Sequence, residues 1–325
     1  MADELRIVLL GKTGDGRSSA GNTILGGDFF EVMSSPESTT HKCTVQSNKV
    51  NDRLISIIDT PGFFDTRLSE DQLKPEIVRC ITECAPGPHA FVIVLRAGRY
   101  TDQEMAVVRK ITESFGEDAF RYAVVLFTFG DDEVDGDECD TIEEFVATSE
   151  ELQELVDKCG GRCHVIDNKY WAKAQKGYMS NKRQVEKLLK TIDKMVTING
   201  GSCYTNDMLE VVEEGIKAET ARLQETENEK DEEEIKRQAK ENIHRVMMMI
   251  LGGVAGALLG ALFGLAVTAL SPDPASKTVL IILGTVQGAI AGVKAAKHEK
   301  NIKGALSKAF QANLCCFTDR FSSSD

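Results

Sequence analysis

An α/β fold, a doubly wound and mostly parallel sheet, is predicted by three observations. Short apolar runs alternate with amphipathic helical stretches over roughly the first 200 residues, about the length of one domain with a full core. The first apolar run ends in a glycine-rich turn that opens a helix, and a later one ends in Asp-x-x-Gly. In a parallel sheet, loops at the carboxyl ends of the strands are where ligands are held. The candidate strands are Leu5 to Leu10, Cys43 to Val50, Leu54 to Ile58, Ala90 to Leu95, Ala123 to Phe129 and Cys163 to Ile166. Only Asn51 and Asp52 separate the second from the third, a hairpin signal, so one edge strand should run antiparallel.

The turn after the first strand, Gly11-Lys12-Thr13-Gly14-Asp15-Gly16-Arg17-Ser18, fits the phosphate-binding template G-x-x-x-x-G-K-[ST] at every fixed position except the lysine. Glycines allow the backbone angles at which successive N–H groups converge on a polyphosphate, and the helix beginning near Arg17 adds its positive end. Gly11, Thr13, Gly14, Asp15, Gly16, Arg17, Ser18 and Ser19 are therefore the candidate phosphate-binding residues. Arg17 keeps the positive charge of the usual lysine, but its planar fork is longer and broader than an ammonium.

Leu54 to Ile58 runs into Asp59-Thr60-Pro61-Gly62. An Asp at that strand end can accept from a water on Mg²⁺, and the Gly62 N–H can meet a terminal phosphate. Ser18 and Asp59 are candidate metal-site residues. Between the two motifs, Thr40 is the candidate to supply a second hydroxyl to Mg²⁺, with Thr39 next to it. Phe63 stands where small GTPases carry the Gln that orients the attacking water, so hydrolysis should be slow.

Base choice needs a carboxylate that accepts from guanine N1–H and N2–H together, since adenine offers no such pair. Asp132 occupies the place of the Asp in an N/T-K-x-D motif, although Phe129 and Gly130 replace its first two residues and remove the lysine that packs over the base. Asn168 is the candidate second base contact.

The stretch GKTGDGRSSAGNTILG at 11 to 26, DTPGFFDT at 59 to 66 and GPHAFVIVLRAGRYTDQE at 87 to 104 resemble the GIMAP, or immune-associated nucleotide-binding, GTPases. The third block is that family's own hallmark. Similarity continues through Leu126 to Asp132 and Asp167 to Lys169 as far as Asn206, about two thirds of the chain. The resemblance implies a P-loop GTPase domain of septin-like and Toc-like form, with GTP and GDP as ligands and Mg²⁺ as the metal. It also implies nucleotide-dependent homo- or hetero-oligomerisation through G domains, and membrane attachment by C-terminal tails in some members. In a dimer with facing sites, Arg99 of the hallmark is the candidate to neutralise transition-state charge in place of the missing Gln; His41 is the alternative catalytic group. Thr101 to Glu104 reads as a capping box opening the helix that runs to Ser114.

The expected organisation is a GTP-binding domain at 1–204, a charged helical extension at 205–245, a glycine-rich membrane hairpin at 246–297, and a basic helix and cytosolic tail at 298–325. In the extension, Leu209, Val212, Ile216 and Leu223 repeat on one face, whereas Gln224 to Glu234 holds no apolar residue. Glu232 with Lys236 and Glu233 with Arg237 are spaced as ion pairs, so a single solvated helix is expected, spanning on the order of 60 Å if continuous. Val246 to Leu270 is charge-free and long enough to cross a bilayer, and Thr278 to Val293 is a second apolar run after Ser271-Pro272-Asp273-Pro274. Glycines recur every four residues in both, and Lys294, Lys297, Lys300 and Lys303 follow, which places both ends on the cytosolic side. The competing reading is a buried helical pair in a soluble domain.

A net charge of −13 argues against nucleic acid as a partner. Nine cysteines, and the absence of an apolar leader within Met1 to Leu10, suggest a reducing compartment. Cys159, Cys163 and His164 have no second pair at zinc-finger spacing and read as a strand entering the core. Cys315 and Cys316 are candidates for palmitoylation, and Trp171 reads as packing. The expectation is an intracellular membrane protein with its nucleotide domain in the cytosol. Three function classes stay open: a slow, dimer-activated GTPase, a non-hydrolysing nucleotide-gated scaffold, and a hairpin that assembles a membrane lesion.

Overall fold

The computed structural model describes residues 4–32, 43–60, 70–98, 100–130, 141–171, 178–226 and 230–250 of the 325-residue chain. They fall into two compact units, the first from residues 1–68, 87–112 and 116–204, the second from 69–86, 113–115 and 205–325.

In the first unit the strands are β1 (Glu4–Leu10), β2 (Thr44–Val50), β3 (Arg53–Asp59), β4 (Ala90–Arg96), β5 (Ala123–Thr128) and β6 (Cys163–Val165). They form one sheet in the order β2-β3-β1-β4-β5-β6, parallel except for β2, which pairs antiparallel with β3. The hairpin joining that pair turns through Asn51 at φ 50° and Asp52 at φ 63°, the left-handed angles that a two-residue turn matched to strand twist demands. As an edge strand, β2 is half exposed, whereas β1, β4 and β5 are almost wholly buried. Alternation sends Leu5, Ile7 and Leu9 of β1 and Val92 and Val94 of β4 to one face, where α1 (Arg17–Leu25) and α6 (Asn181–Ile198) supply Ile24, Leu188 and Ile192. On the opposite parity, Val8, Ile93 and Phe127 are buried as well, with Phe127 meeting Phe145 of α4 (Ile142–Ala147) edge to face at 5.9 Å. Sheet residues buried on both faces explain why these strands read as continuous apolar runs.

Helix α3 (Asp102–Phe115) opens on Thr101 with both bonds of the expected capping box, and α5 (Glu150–Lys158) is capped by Ser149. β5 ends one residue before the predicted Phe129, because Phe129 turns to φ 58° and leaves the extended region.

The second unit contains α2 (Glu70–Cys84), α7 (Asp207–Thr226) and α8 (Glu232–Ile250), which pack on one another. The single helix expected through 205–245 is two helices, since the chain re-enters helix at Glu232 with Ile235 and Ala239 turned onto Leu223 of α7. Ile235, Ala239, Ile243 and Val246 form the buried stripe of α8, a helical spacing that begins just past the polar stretch. Lys240 reaches Glu83 of α2 at 3.0 Å, and buried Glu219 of α7 is held by Arg222 and by Asn242. Arg237 pairs with Glu234 at 2.6 Å rather than with the expected Glu233.

Among the described residues no helix is long and apolar enough to cross a membrane. Apart from Val246 to Ile250, which complete α8, the predicted membrane hairpin and tail lie outside the described residues.

Candidate functional site

The phosphate-binding candidates from Gly11 to Ser19 lie together between the end of β1 and the first turn of α1. Gly11 is forced by space, since a Cβ there would stand 2.5 Å from the carbonyl oxygen of Val94 on β4. Gly16 is the N-cap of α1 at φ 81°, with no side-chain cap and no acidic residue in the first turn. The leading amides of α1 are thus not claimed by a capping side chain, and they carry the positive end of the helix toward the loop. That is the local chemistry an anion needs.

Ser18 donates its hydroxyl to Asp59 Oδ2 at 2.5 Å, joining the start of α1 to the end of β3. Asp59 is buried, and its other oxygen, Oδ1, has no hydrogen-bond partner. Burial pushes the Asp59 carboxyl above its ordinary range, with Arg17 and the Ser18 bond pulling the other way. A buried carboxylate oxygen that accepts no hydrogen bond, with only the Arg17 Nε charge 3.8 Å away, beside a serine hydroxyl is a hard-oxygen donor set, and it fits Mg²⁺.

Arg17 is buried and folds back over its own loop. Its Nη1 donates to the Gly11 carbonyl at 2.9 Å and to Thr60 Oγ1 at 3.4 Å, while Nε stands 3.8 Å from Asp59. Thr60 in turn donates to the Leu9 carbonyl. The wider guanidinium is therefore engaged with backbone and carboxylate oxygens at the floor of the loop.

Sequence reasoning missed Lys12, the loop's own lysine. Its ammonium pairs with Glu104 of α3 and stands 3.9 Å from Asp15. Glu104 closes the capping box through its other oxygen, so one carboxylate links the phosphate loop to the start of α3. Burial raises the Glu104 carboxyl, but its bonds to Lys12 and Thr101 outweigh that and hold it below the usual range. Asp15 is pushed up to about 7, chiefly by burial. The signal in the sequence was a lysine inside a glycine loop, but its partner lies in a different element, where no local spacing points.

On the base side, Thr128 donates its hydroxyl to the Asp15 carbonyl at 2.7 Å, tying the loop to the end of β5. Asn168 accepts from Thr23 of α1 at 2.8 Å, and its Nδ2 faces Gly16. Its loop is ordered by Asp167, which accepts from the backbone of Lys169 and Tyr170 and is clasped by Asn181. An open groove of about 840 Å³ borders Asn168, Ser19 and Thr23. Thr40, His41, Gly62, Arg99 and Asp132 lie outside the described residues. Cys159 and Cys163 are core thiols pushed up to about 12 by burial, and Trp171 is buried against Tyr178.

Immune-associated nucleotide-binding protein 9 of Arabidopsis thaliana is 34% identical over 215 residues, 65% of this chain and 61% of that protein. GTPase IMAP family member 8 of Homo sapiens is 30% identical over 226 residues, 70% of this chain and 31% of that protein. The chain therefore spans about three fifths of the first relative's length and about a third of the second's. Toc33 from Arabidopsis thaliana, in complex with GDP and Mg²⁺, is similar at a TM-score of 0.46 and 18% identity, covering 61% of this chain and 86% of that one. With a phosphate loop, a D-x-x-G strand end and a family model that matches residues 5–227, the chain belongs to the AIG1 family.

Proposed function

We propose that this chain binds GTP and GDP with Mg²⁺, hydrolyses GTP slowly, and is activated when two G domains meet on an intracellular membrane. The observation that carries the reading is the Ser18–Asp59 pair, whose buried Oδ1 accepts no hydrogen bond, beside the uncapped amino end of α1. Bound Mg²⁺ would offset charge between the outer phosphates. The amides from Thr13 to Ser19 receive the phosphate oxygens. Thr40 and Gly62 are assigned to the metal and the terminal phosphate, and Asp132 and Asn168 to the guanine edge. Arg99 of the partner subunit neutralises charge as the terminal bond breaks, with His41 as the alternative group. The G domain faces the cytosol and 246–297 holds the membrane. One relative, GTPase IMAP family member 8, is a GTPase by name, which supports the nucleotide reading.

One geometric fact favours a second reading, a nucleotide-gated scaffold without turnover. The Arg17 guanidinium is engaged with Gly11, Thr60 and Asp59 at the floor of the loop.

Affinities for GTP, GDP and ATP, with and without Mg²⁺, together with single-turnover hydrolysis across protein concentration, test both. Hydrolysis that accelerates with protein concentration and falls by about 10³-fold or more in Arg99→Ala supports the enzyme. Tight binding without turnover supports the scaffold, and equal affinity for ATP and GTP removes the guanine assignment.

A further inference from the structure

The two residues that break the N/T-K-x-D pattern are both built into the site. Gly130 has no room for a side chain unless Val165 or Trp171 moves, because a Cβ there would come within 2.6 Å of Val165 Cγ2 and 2.8 Å of the Trp171 indole. The lysine stem that packs over a base is therefore excluded by the packing of Trp171, not merely absent. Phe129, beside it, sits at φ 58°, a left-handed conformation unusual for a bulky residue. The backbone is pinned there from both sides: Thr128 donates to the Asp15 carbonyl, and the Gly130 N–H donates to the Ile166 carbonyl at 3.1 Å.

That conformation aims the ring at the site. A Cβ on Gly16 would meet the Asn168 amide nitrogen at 3.3 Å, the Thr128 methyl at 3.6 Å and the Phe129 ring at 3.7 Å. Phe129 and Asn168 thus converge on the same turn of the phosphate loop. Arg96, paired with Thr128 in the β4–β5 register, lays its guanidinium over the Phe129 ring at 4.3 Å from the centroid.

We propose that Arg96, seated on Phe129, is the platform on which the purine of a bound nucleotide stacks, replacing the lysine stem that Gly130 and Trp171 exclude. A guanidinium is flat and can lie between two π-faces, which a lysine ammonium does not do. Arg96 stands exposed at the end of β4, where a ligand can reach it. The proposal rests on the guanine-nucleotide reading above. A platform touches the face of the base and not its edge, so it does not sense the 2-amino group.

Calorimetric titration of the full-length chain with GDP and with IDP, which lacks that amino group, tests this. Arg96→Ala, Arg96→Lys and Phe129→Leu should each bind GDP about ten-fold more weakly, with the GDP to IDP ratio unchanged from the parent. Phe129→Tyr, which keeps the ring, should bind as the parent does. Thermal melting of each ligand-free variant controls for a structural role, and Arg96→Gln serves if Arg96→Ala does not fold. Undiminished GDP affinity in Arg96→Ala or Arg96→Gln overturns the platform, and so does full rescue by Arg96→Lys, which would mean that charge alone is at work. Failure of the parent to bind GDP overturns the nucleotide reading and the platform with it.

Discussion

Asp15 is a buried carboxyl inside a loop shaped for anions, and its burial sets a pH dependence. Its folded value of about 7 lies above the ordinary 3.8, so between those pH values the native state holds a proton that the unfolded chain has shed. Stability from this group is therefore complete below about pH 4 and is lost as the pH rises through 7. Asp15→Asn, neutral throughout, should match the parent at pH 4 and exceed it at pH 8 by on the order of 2–4 kcal/mol, read by chemical denaturation. His89 and His164 act in the opposite direction: burial lowers both to about 4, so they withhold stability as the pH falls from 6.5 toward 4. Arg17→Lys should bind GTP about ten-fold more tightly, because a compact ammonium gives up the bonds to Gly11 and Thr60 that hold the guanidinium down. Equal affinities of the two proteins would show that the fork is no hindrance. The sequence made Arg17 visible as a cation of the same charge and a different shape, but not the direction its fork takes. That direction depends on Thr60 and Asp59, which β3 delivers from the far side of a hairpin.

At the scale of elements, legibility followed the range of the forces involved. Strand positions, the Thr101 capping box and the Asn51-Asp52 hairpin were all readable, since each is decided by neighbours within a few residues. The break between α7 and α8 was not. Gln224 to Glu234 is polar enough to stand as a solvated helix, and only the docking of Ile235 and Ala239 on Leu223 shows that two helices pack here. Leu223→Ala should therefore cost about 2–4 kcal/mol in chemical denaturation, whereas the same change in an exposed solvated helix would be close to neutral. A cost below about 0.5 kcal/mol would argue for the extended helix after all. The Lys12–Glu104 pair was illegible for the same reason, as it joins a loop to a helix far along the chain.

For the whole molecule, two compact units and a net charge of −13 frame what a ligand does. Ligand that binds only the folded state adds about 2.7 kcal/mol at one hundred times its dissociation constant. GDP with Mg²⁺ should raise the melting temperature of the parent, and Asp59→Asn should abolish the part of that rise which EDTA removes. An EDTA-insensitive rise in the parent would mean that the Ser18–Asp59 pair holds no metal. Family membership is legible from the first two thirds of the sequence, because its motifs are contiguous. Partition of the full-length chain between vesicles and buffer tests the membrane role proposed for 246–297.

Thr128 is fully buried. Thr128 hydrogen-bonds the carbonyl of Asp15 at 2.7 Å and that of Leu95 at 3.4 Å, so the floor of the phosphate loop and the ends of β4 and β5 share an atom. On the proposed nucleotide reading, this shared atom would set the spacing between phosphates and base before any ligand arrives. The site would then work as a gauge of fixed length rather than as a glove, sorting molecules by whether their two ends are the right distance apart.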